Sequence, residues 1–144
     1  MKTVKELLDA KGHDVATTTP DTSVFEALKV MADRNVGALI VLEGEQIVGI
    51  FSERDYARKV ILKGKSSREI MVREIMTPEV VYTRFDQTID QCMAMMTARH
   101  CRHLPVVDDS RLAGIISIGD VVKEVISEQQ WTIEMLEDYI TGKR

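Results

Sequence analysis

Residues 15 to 61 of this chain recur as residues 80 to 126 at a constant offset of 65, without a gap. Val15, Thr18, Asp21, Met31, Arg34, Leu39, Val41, Gly49, Ser52, Asp55, Val60 and Ile61 return as Val80, Thr83, Asp86, Met96, Arg99, Leu104, Val106, Gly114, Ser117, Asp120, Val125 and Ile126. Elsewhere the copies mostly exchange one apolar residue for another, as Val24 for Ile89 and Ile47 for Leu112. This is a duplication: the unit that one copy forms, the other forms too. Each copy is near the smallest size at which a lone core is stable, so the halves are expected to share one core.

The pattern within a copy reads strand, helix, strand, strand, helix. A short extended segment (residues 14–18 or 80–83) leads to polar residues suited to capping a helix, Asp21, Thr22 and Ser23 or Asp86, Gln87 and Thr88. Apolar residues then recur at three and four: Val24, Ala27, Leu28 and Met31 in one copy, Ile89, Cys92, Met93 and Met96 in the other. Two apolar runs follow, broken by Glu43, Gly44 and Glu45 or by Asp108, Asp109 and Ser110, which predicts a hairpin. Beyond Ser52 and Ser117 the spacing is helical again. The chain therefore divides into residues 1–67, a first repeat with an N-terminal segment; residues 68–126, a second repeat; and residues 127–144, a helical extension. Val4 to Leu8 also resemble Val72 to Met76, at an offset of 68, and the polar stretch from Lys63 to Arg68 reads as a flexible link. In the extension, Trp131, Met135 and Tyr139 form one apolar row and Ile133, Leu136 and Ile140 another, suited to packing on the module or to a dimer contact.

A net charge of -4, with 29% charged and 44% hydrophobic residues, gives no general field for nucleic acid or anionic lipid. With three Phe, three Tyr and one Trp there is also no basic stripe interleaved with aromatics. No run reaches the roughly 18 apolar residues that span a membrane. The N-terminal residues lack the apolar centre of a signal peptide, so the expected location is cytoplasmic. Cys92 and Cys101 read as a reduced core cysteine and one at a helix end, and no metal-ligand spacing is present.

The chemistry sits where the second predicted helix of each copy begins. Gly49-Ile50-Phe51-Ser52-Glu53-Arg54-Asp55 matches Gly114-Ile115-Ile116-Ser117-Ile118-Gly119-Asp120. Free backbone donors at a helix start suit phosphate, Ser adds a hydroxyl, and Asp can accept from both hydroxyls of a ribose. The same string is also a capping box that needs no ligand. The copies differ in cations: Arg102 and His103 stand where the first copy has Gly37 and Ala38, whereas Arg54 stands where the second has Gly119. Each cleft would thus hold its cation in a different place, and the two sites would differ. Arg58 and Lys59 could extend the first basic surface, although a solvated helix face suits them better.

The repeat, the two Gly-to-Asp strings, the segments before Asp21 and Asp86, and the run Cys101-Arg102-His103-Leu104-Pro105-Val106-Val107-Asp108 resemble a stand-alone tandem pair of CBS domains, the Bateman module. The resemblance implies an α+β fold of two β-α-β-β-α repeats, packed through their sheets with pseudo-twofold symmetry, with two clefts that commonly hold adenosine-containing ligands. It gives Asp55 and Asp120 the ribose, Ser52 and Ser117 the phosphate or ribose side, and places Thr18 and Thr83 near base and sugar, each facing the Asp of the opposite copy. The adenine would lie against Ala38, Leu39 and Ile40, or against His103, Leu104 and Pro105, with Arg54 and Arg102 meeting phosphate. The implied ligand is AMP first, with ADP, ATP or NAD as others and S-adenosylmethionine also compatible. The implied assembly is a homodimer read by a downstream protein, with no catalytic cofactor, nucleic acid or membrane. An interaction module that uses the Ser–Asp pairs only as caps is the alternative. An enzyme built on His100, Cys101 and His103 fits poorly, because no motif sets a nucleophile beside a base.

Overall fold

The computed structural model of the chain describes residues 2–142. The first half contains α1 (Val4–Lys11), β1 (Thr17–Thr18), α2 (Val24–Arg34), β2 (Ala38–Glu43), β3 (Gln46–Ser52) and α3 (Glu53–Tyr56), which runs on as a π-helical turn, Ala57–Ile61. The second half contains α4 (Val72–Ile75), α5 (Ile89–Arg99), β4 (His103–Asp108), β5 (Arg111–Ser117) and α6 (Ile118–Thr141).

Local chemistry fixes the repeated elements in the same way twice. Ser23 Oγ accepts from the Glu26 amide at the start of α2, and Thr88 forms a full capping box with Gln91 at the start of α5. Both helices end on a non-glycine residue in the left-handed region, Asn35 (φ 52°) and His100 (φ 53°). One sheet has the order β1-β2-β3, with β1 parallel and β3 antiparallel to β2. The other is the β4-β5 hairpin, against which Thr83 makes a parallel bridge to Val106 in the place of β1. Both hairpins slip register at matching points, between Val41 and Leu42 and between Val106 and Val107.

The helices that precede each repeat were not anticipated, and they set the architecture. α1 comes before the first repeat but packs on the second: the Val4 and Lys5 amides donate to the Gln87 and Phe85 carbonyls, and Ile89 N–H donates to Lys2 O. α4 comes before the second repeat but packs on the first, with the Val72 and Arg73 amides donating to the Thr22 and Pro20 carbonyls and Val24 N–H to Ile70 O. These contacts supply partners for first-turn donors that a helix leaves unsatisfied. They are also the same three bonds twice, since α1 and α4 differ by 68 positions and the repeats by 65.

The expectation of one shared core is therefore corrected. There are two cores, and each is completed by a helix from the other half. One gathers Val24, Ala27, Met31, Leu39, Val41, Phe51 and Val60 with Ile70, Val72 and Ile75. The other gathers Ile89, Cys92, Met96, Leu104, Val106, Ile116 and Val121 with Val4, Leu7 and Leu8. Exchange of helices solves the size problem: a repeat too small to enclose its own apolar face borrows the missing wall. The link is not a free tether either, because Phe25 N–H donates to Ser67 O and the Arg68 guanidinium lies 4.4 Å from the Phe25 ring centroid. Past Val125, α6 leaves the core, and both of its predicted apolar rows are exposed.

Candidate functional site

Strands β3 and β5 end at Ser52 and Ser117, and each serine caps the helix that follows. In the first copy the Asp55 amide donates to Ser52 Oγ (3.2 Å), while Ser52 N–H (3.0 Å) and Oγ–H (3.1 Å) donate to Asp55 Oδ2. In the second, the Asp120 amide donates to Ser117 Oγ (3.1 Å) and Ser117 N–H to Asp120 Oδ2 (2.9 Å). Both motifs are thus complete capping boxes. Capping engages Oδ2 of each acid, and the further contacts of the carboxylate decide what else the acid can do.

That second contact differs between the copies. Asp55 is buried; its Oδ1 accepts from Thr77 Oγ1 (3.1 Å) and forms an ion pair with Lys59 Nζ (3.2 Å). The Lys59 ammonium also donates to Ile75 O at 3.0 Å. Asp120 is bound by a lysine from across the molecule, on the oxygen already in the cap: Lys11 Nζ lies 2.5 Å from Oδ2 and donates to Ile115 O at 2.8 Å. Burial raises the Asp120 pKa, but the Lys11 ammonium and the Ser117 amide outweigh it and hold the acid below its usual range.

Beside Asp55 lies a cavity of about 400 Å³ that joins the halves. The first repeat contributes Ile50, Ser52, Arg54, Asp55, Arg58 and Lys59; the second contributes Val80, Val81, Arg99, His100, Cys101, Arg102 and His103, and Thr77 and Glu79 complete the rim. Arg54, Arg58, Arg99 and Arg102 make no ion pair among the described residues. Burial first, and then the Lys11 ammonium, holds the His103 imidazole below its usual pKa; Asp120 opposes this and Arg102 adds to it. The cavity can therefore receive an anion: it presents four guanidiniums without an ion pair among the described residues, and a neutral imidazole that an anion would favour protonating.

Of the residues singled out from sequence, the cavity brings together Ser52, Arg54, Asp55, Arg102 and His103. Arg54 and Arg102 meet in one cleft and do not serve two, which corrects the expectation that each cleft keeps its own cation. Arg58 and Lys59 also face this cleft, where a solvated helix face was expected. Ser117 and Asp120 sit apart, with His103 opposite Ser117 in the β4-β5 register. Thr83 is buried, and its hydroxyl donates to Gln87 Oε1. Thr18 lines a separate hollow with Thr17, Thr19, Thr22 and Glu26. Ala38, Leu39, Ile40, Leu104 and Pro105 are all buried strand residues, with Ala38 opposite Ser52.

Thr77, Glu79 and Lys11 carried no mark in the sequence, and Arg99 was marked only as the repeat partner of Arg34. Lys59 had a legible signal, because it stands four residues after Asp55 on a helical stretch. Lys11 had none, because its partner is 109 positions away.

Comparison with known proteins supplies the remaining finding. A family model described as CBS domain matches residues 4–62 and 72–127. CBS domain-containing protein CBSX3, mitochondrial, from Arabidopsis thaliana is 38% identical over 149 residues, covering 97% of this chain and 72% of that protein. The solved structure of a putative signal-transduction protein with CBS domains from Burkholderia ambifaria is 48% identical with a TM-score of 0.85, covering 89% of this chain and 96% of its own. The CBS domain pair of protein MJ0100, solved with 5'-methylthioadenosine and S-adenosyl-L-methionine, is 26% identical with a TM-score of 0.76 and covers 86% and 99%.

Proposed function

The chain belongs to the CBS-domain family, and we propose that this regulatory pair senses an adenosine nucleotide held in the cleft beside Asp55. The observation that carries the reading is the cavity shared by the Ser52–Asp55 motif of one repeat and the Arg102–His103 corner of the other. A ligand there touches both halves, so its binding energy can bias how they pack. Only the difference in affinity between two arrangements drives such a switch. Adenosine ligands on the MJ0100 pair support the ligand class. Four guanidiniums with no ion pair among the described residues favour a phosphate-bearing ligand over a neutral or cationic one, and ADP or ATP over AMP and NAD.

The ribose would displace the Thr77 hydroxyl and the Lys59 ammonium from Asp55 Oδ1, leaving the cap on Oδ2 intact. Lys59 is then free to turn towards phosphate. The exposed apolar rows of α6 are proposed to pair two copies into a homodimer, through which the change in packing passes to a downstream protein.

The test is thermal unfolding of the protein with AMP, ADP, ATP, NAD, GTP and S-adenosylmethionine, repeated with Asp55→Asn, which keeps a capping oxygen. A ligand at a hundred times its Kd stabilises the native state by about 2.7 kcal/mol. ADP and ATP are expected to raise the melting temperature of the wild type and not of the variant. One observation favours an interaction module without nucleotide: both Ser–Asp pairs are complete caps and both acids carry a lysine. That reading takes over if no phosphate-bearing nucleotide shifts the transition.

A further inference from the structure

The two acids stand in equivalent places, yet different groups reach them. On the first half, α4 ends at Ile75, Thr77 pairs with Ile50 through both backbone groups (2.9 Å each), and its hydroxyl reaches Asp55. On the second half, α1 continues to Lys11 and is fastened along β5: His13 Nδ1 contacts Ala113 O at 3.3 Å, and Lys11 Nζ reaches Ile115 O. At the offset of 68 that relates α1 to α4, Lys11 corresponds to Glu79. Glu79 lines the rim of the Asp55 cleft and makes no ion pair among the described residues, whereas Lys11 binds Asp120 directly. At the positions equivalent by the repeat, Gly37, Ala38 and Gly119 replace Arg102, His103 and Arg54, while Arg34 and Lys123 correspond to Arg99 and Arg58.

We infer that Lys11 is the specificity-determining residue of the pair: its ammonium holds the Asp120 carboxylate in place of a ribose, so each chain binds one nucleotide, at Asp55. The inference rests on the nucleotide reading and deepens it. A hydroxyl pair is a weaker partner for a partly buried carboxylate than an ammonium, because the ion pair combines charge with hydrogen bonding. A ribose that displaced Lys11 would also have to leave that ammonium with Ile115 O alone. The Asp55 cleft differs because its lysine rises from the same helix, stands farther from the acid (3.2 Å against 2.5 Å) and lines the cavity, so it can turn towards phosphate, and because the other donor is a neutral hydroxyl.

Titration calorimetry with ADP and with adenosine tests this on the wild type, Lys11→Met and Lys11→Arg. Methionine keeps the apolar stem and removes the charge. The expected stoichiometry is one ADP per wild-type chain and one per Lys11→Arg chain. Lys11→Met is expected to gain a second site, which takes adenosine, is lost on adding Asp120→Asn and survives Asp55→Asn. Two ADP per wild-type chain would overturn the inference, as would a single site in Lys11→Met, with the nucleotide reading left standing. An absence of binding by every form removes the nucleotide reading and this inference with it. The chemical shift of the Asp120 carboxyl gives a ligand-free readout: its midpoint rises towards that of a free aspartate in Lys11→Met, and an unchanged midpoint also overturns the inference.

Discussion

Leu8 and Gly114 meet so closely that a Cβ on the glycine would lie 2.8 Å from Leu8 Cδ1. The relationship is repeated across the pseudo-twofold axis, where a Cβ on Gly49 would lie 2.7 Å from Met76 Sδ and 3.0 Å from Thr77 O. The duplicated glycine of each motif thus makes room for the helix borrowed from the other half. It stands three residues before the serine cap, so the same short string docks the crossing helix and shapes the candidate site.

Gly114→Ala and Gly49→Ala are each expected to cost about 1–3 kcal/mol, the usual range for forcing extra volume into a packed interior. Leu8 is wholly buried and cannot retreat, and Thr77 O is backbone. Urea unfolding measures both losses. Leu8→Ala alone removes a buried side chain and costs about 2–5 kcal/mol. Combined with Gly114→Ala it is expected to fall short of the sum, because the methyl enters the space that leucine vacates. Strict additivity would refute the contact.

Arg102 is exposed at the start of β4 and makes no ion pair among the described residues, so its charge is available to a ligand. Charged hydrogen bonds contribute about 1.5–3 kcal/mol, so Arg102→Gln is expected to weaken ADP binding about tenfold or more and to flatten its salt dependence. Lys63→Gln, on the exposed link, serves as the control and is expected to leave both unchanged. Equal effects from the two variants would show that only general charge matters.

His103 predicts a pH dependence of known sign. Its pKa is lowered in the folded protein, so the unfolded chain holds more protons. Stability from this group is complete above the ordinary histidine value of about 6.5 and is lost as pH falls through the folded value. An anionic ligand acts in the opposite sense by favouring the imidazolium. ADP affinity is therefore expected to rise from pH 8 towards pH 6 with uptake of a proton, seen as a dependence of binding heat on buffer. Comparison with His103→Gln cancels the titration of the ligand phosphate, and parallel profiles would rule His103 out.

Much of the fold was legible because the signals were local. The caps at Ser23, Thr88, Ser52 and Ser117, the apolar spacing of α2 and α5 and the hairpin breaks all depend on residues within one turn or one strand pair. The exchange of α1 and α4 was not legible, since nothing in Val4 to Leu8 distinguishes packing on the near repeat from packing on the far one. The site divides in the same way. The Ser–Asp strings announced themselves by repetition, but which cations face them depends on contacts such as Lys11 with Asp120 that no spacing rule reaches. Thr83 shows the converse: repetition marked it, and its hydroxyl is spent inside the second half on Gln87.

The end of α6 yields the last prediction. Trp131, Ile133, Met135, Leu136, Tyr139 and Ile140 are each at least half exposed, and the core of the second half includes nothing beyond Val125. Removal of residues 131–144 therefore takes no apolar contact from either core, and the melting temperature of dilute protein is expected to hold. Six large apolar side chains along one helix do not stay in water when a matching surface exists, and a second copy offers the same rows. Sedimentation equilibrium is expected to show a dimer for the full chain and a monomer for the shortened one, with Trp131→Ala in between. A shortened chain that remains dimeric would move the interface elsewhere on the module, and one that melts early would show that the helix end packs on its own chain.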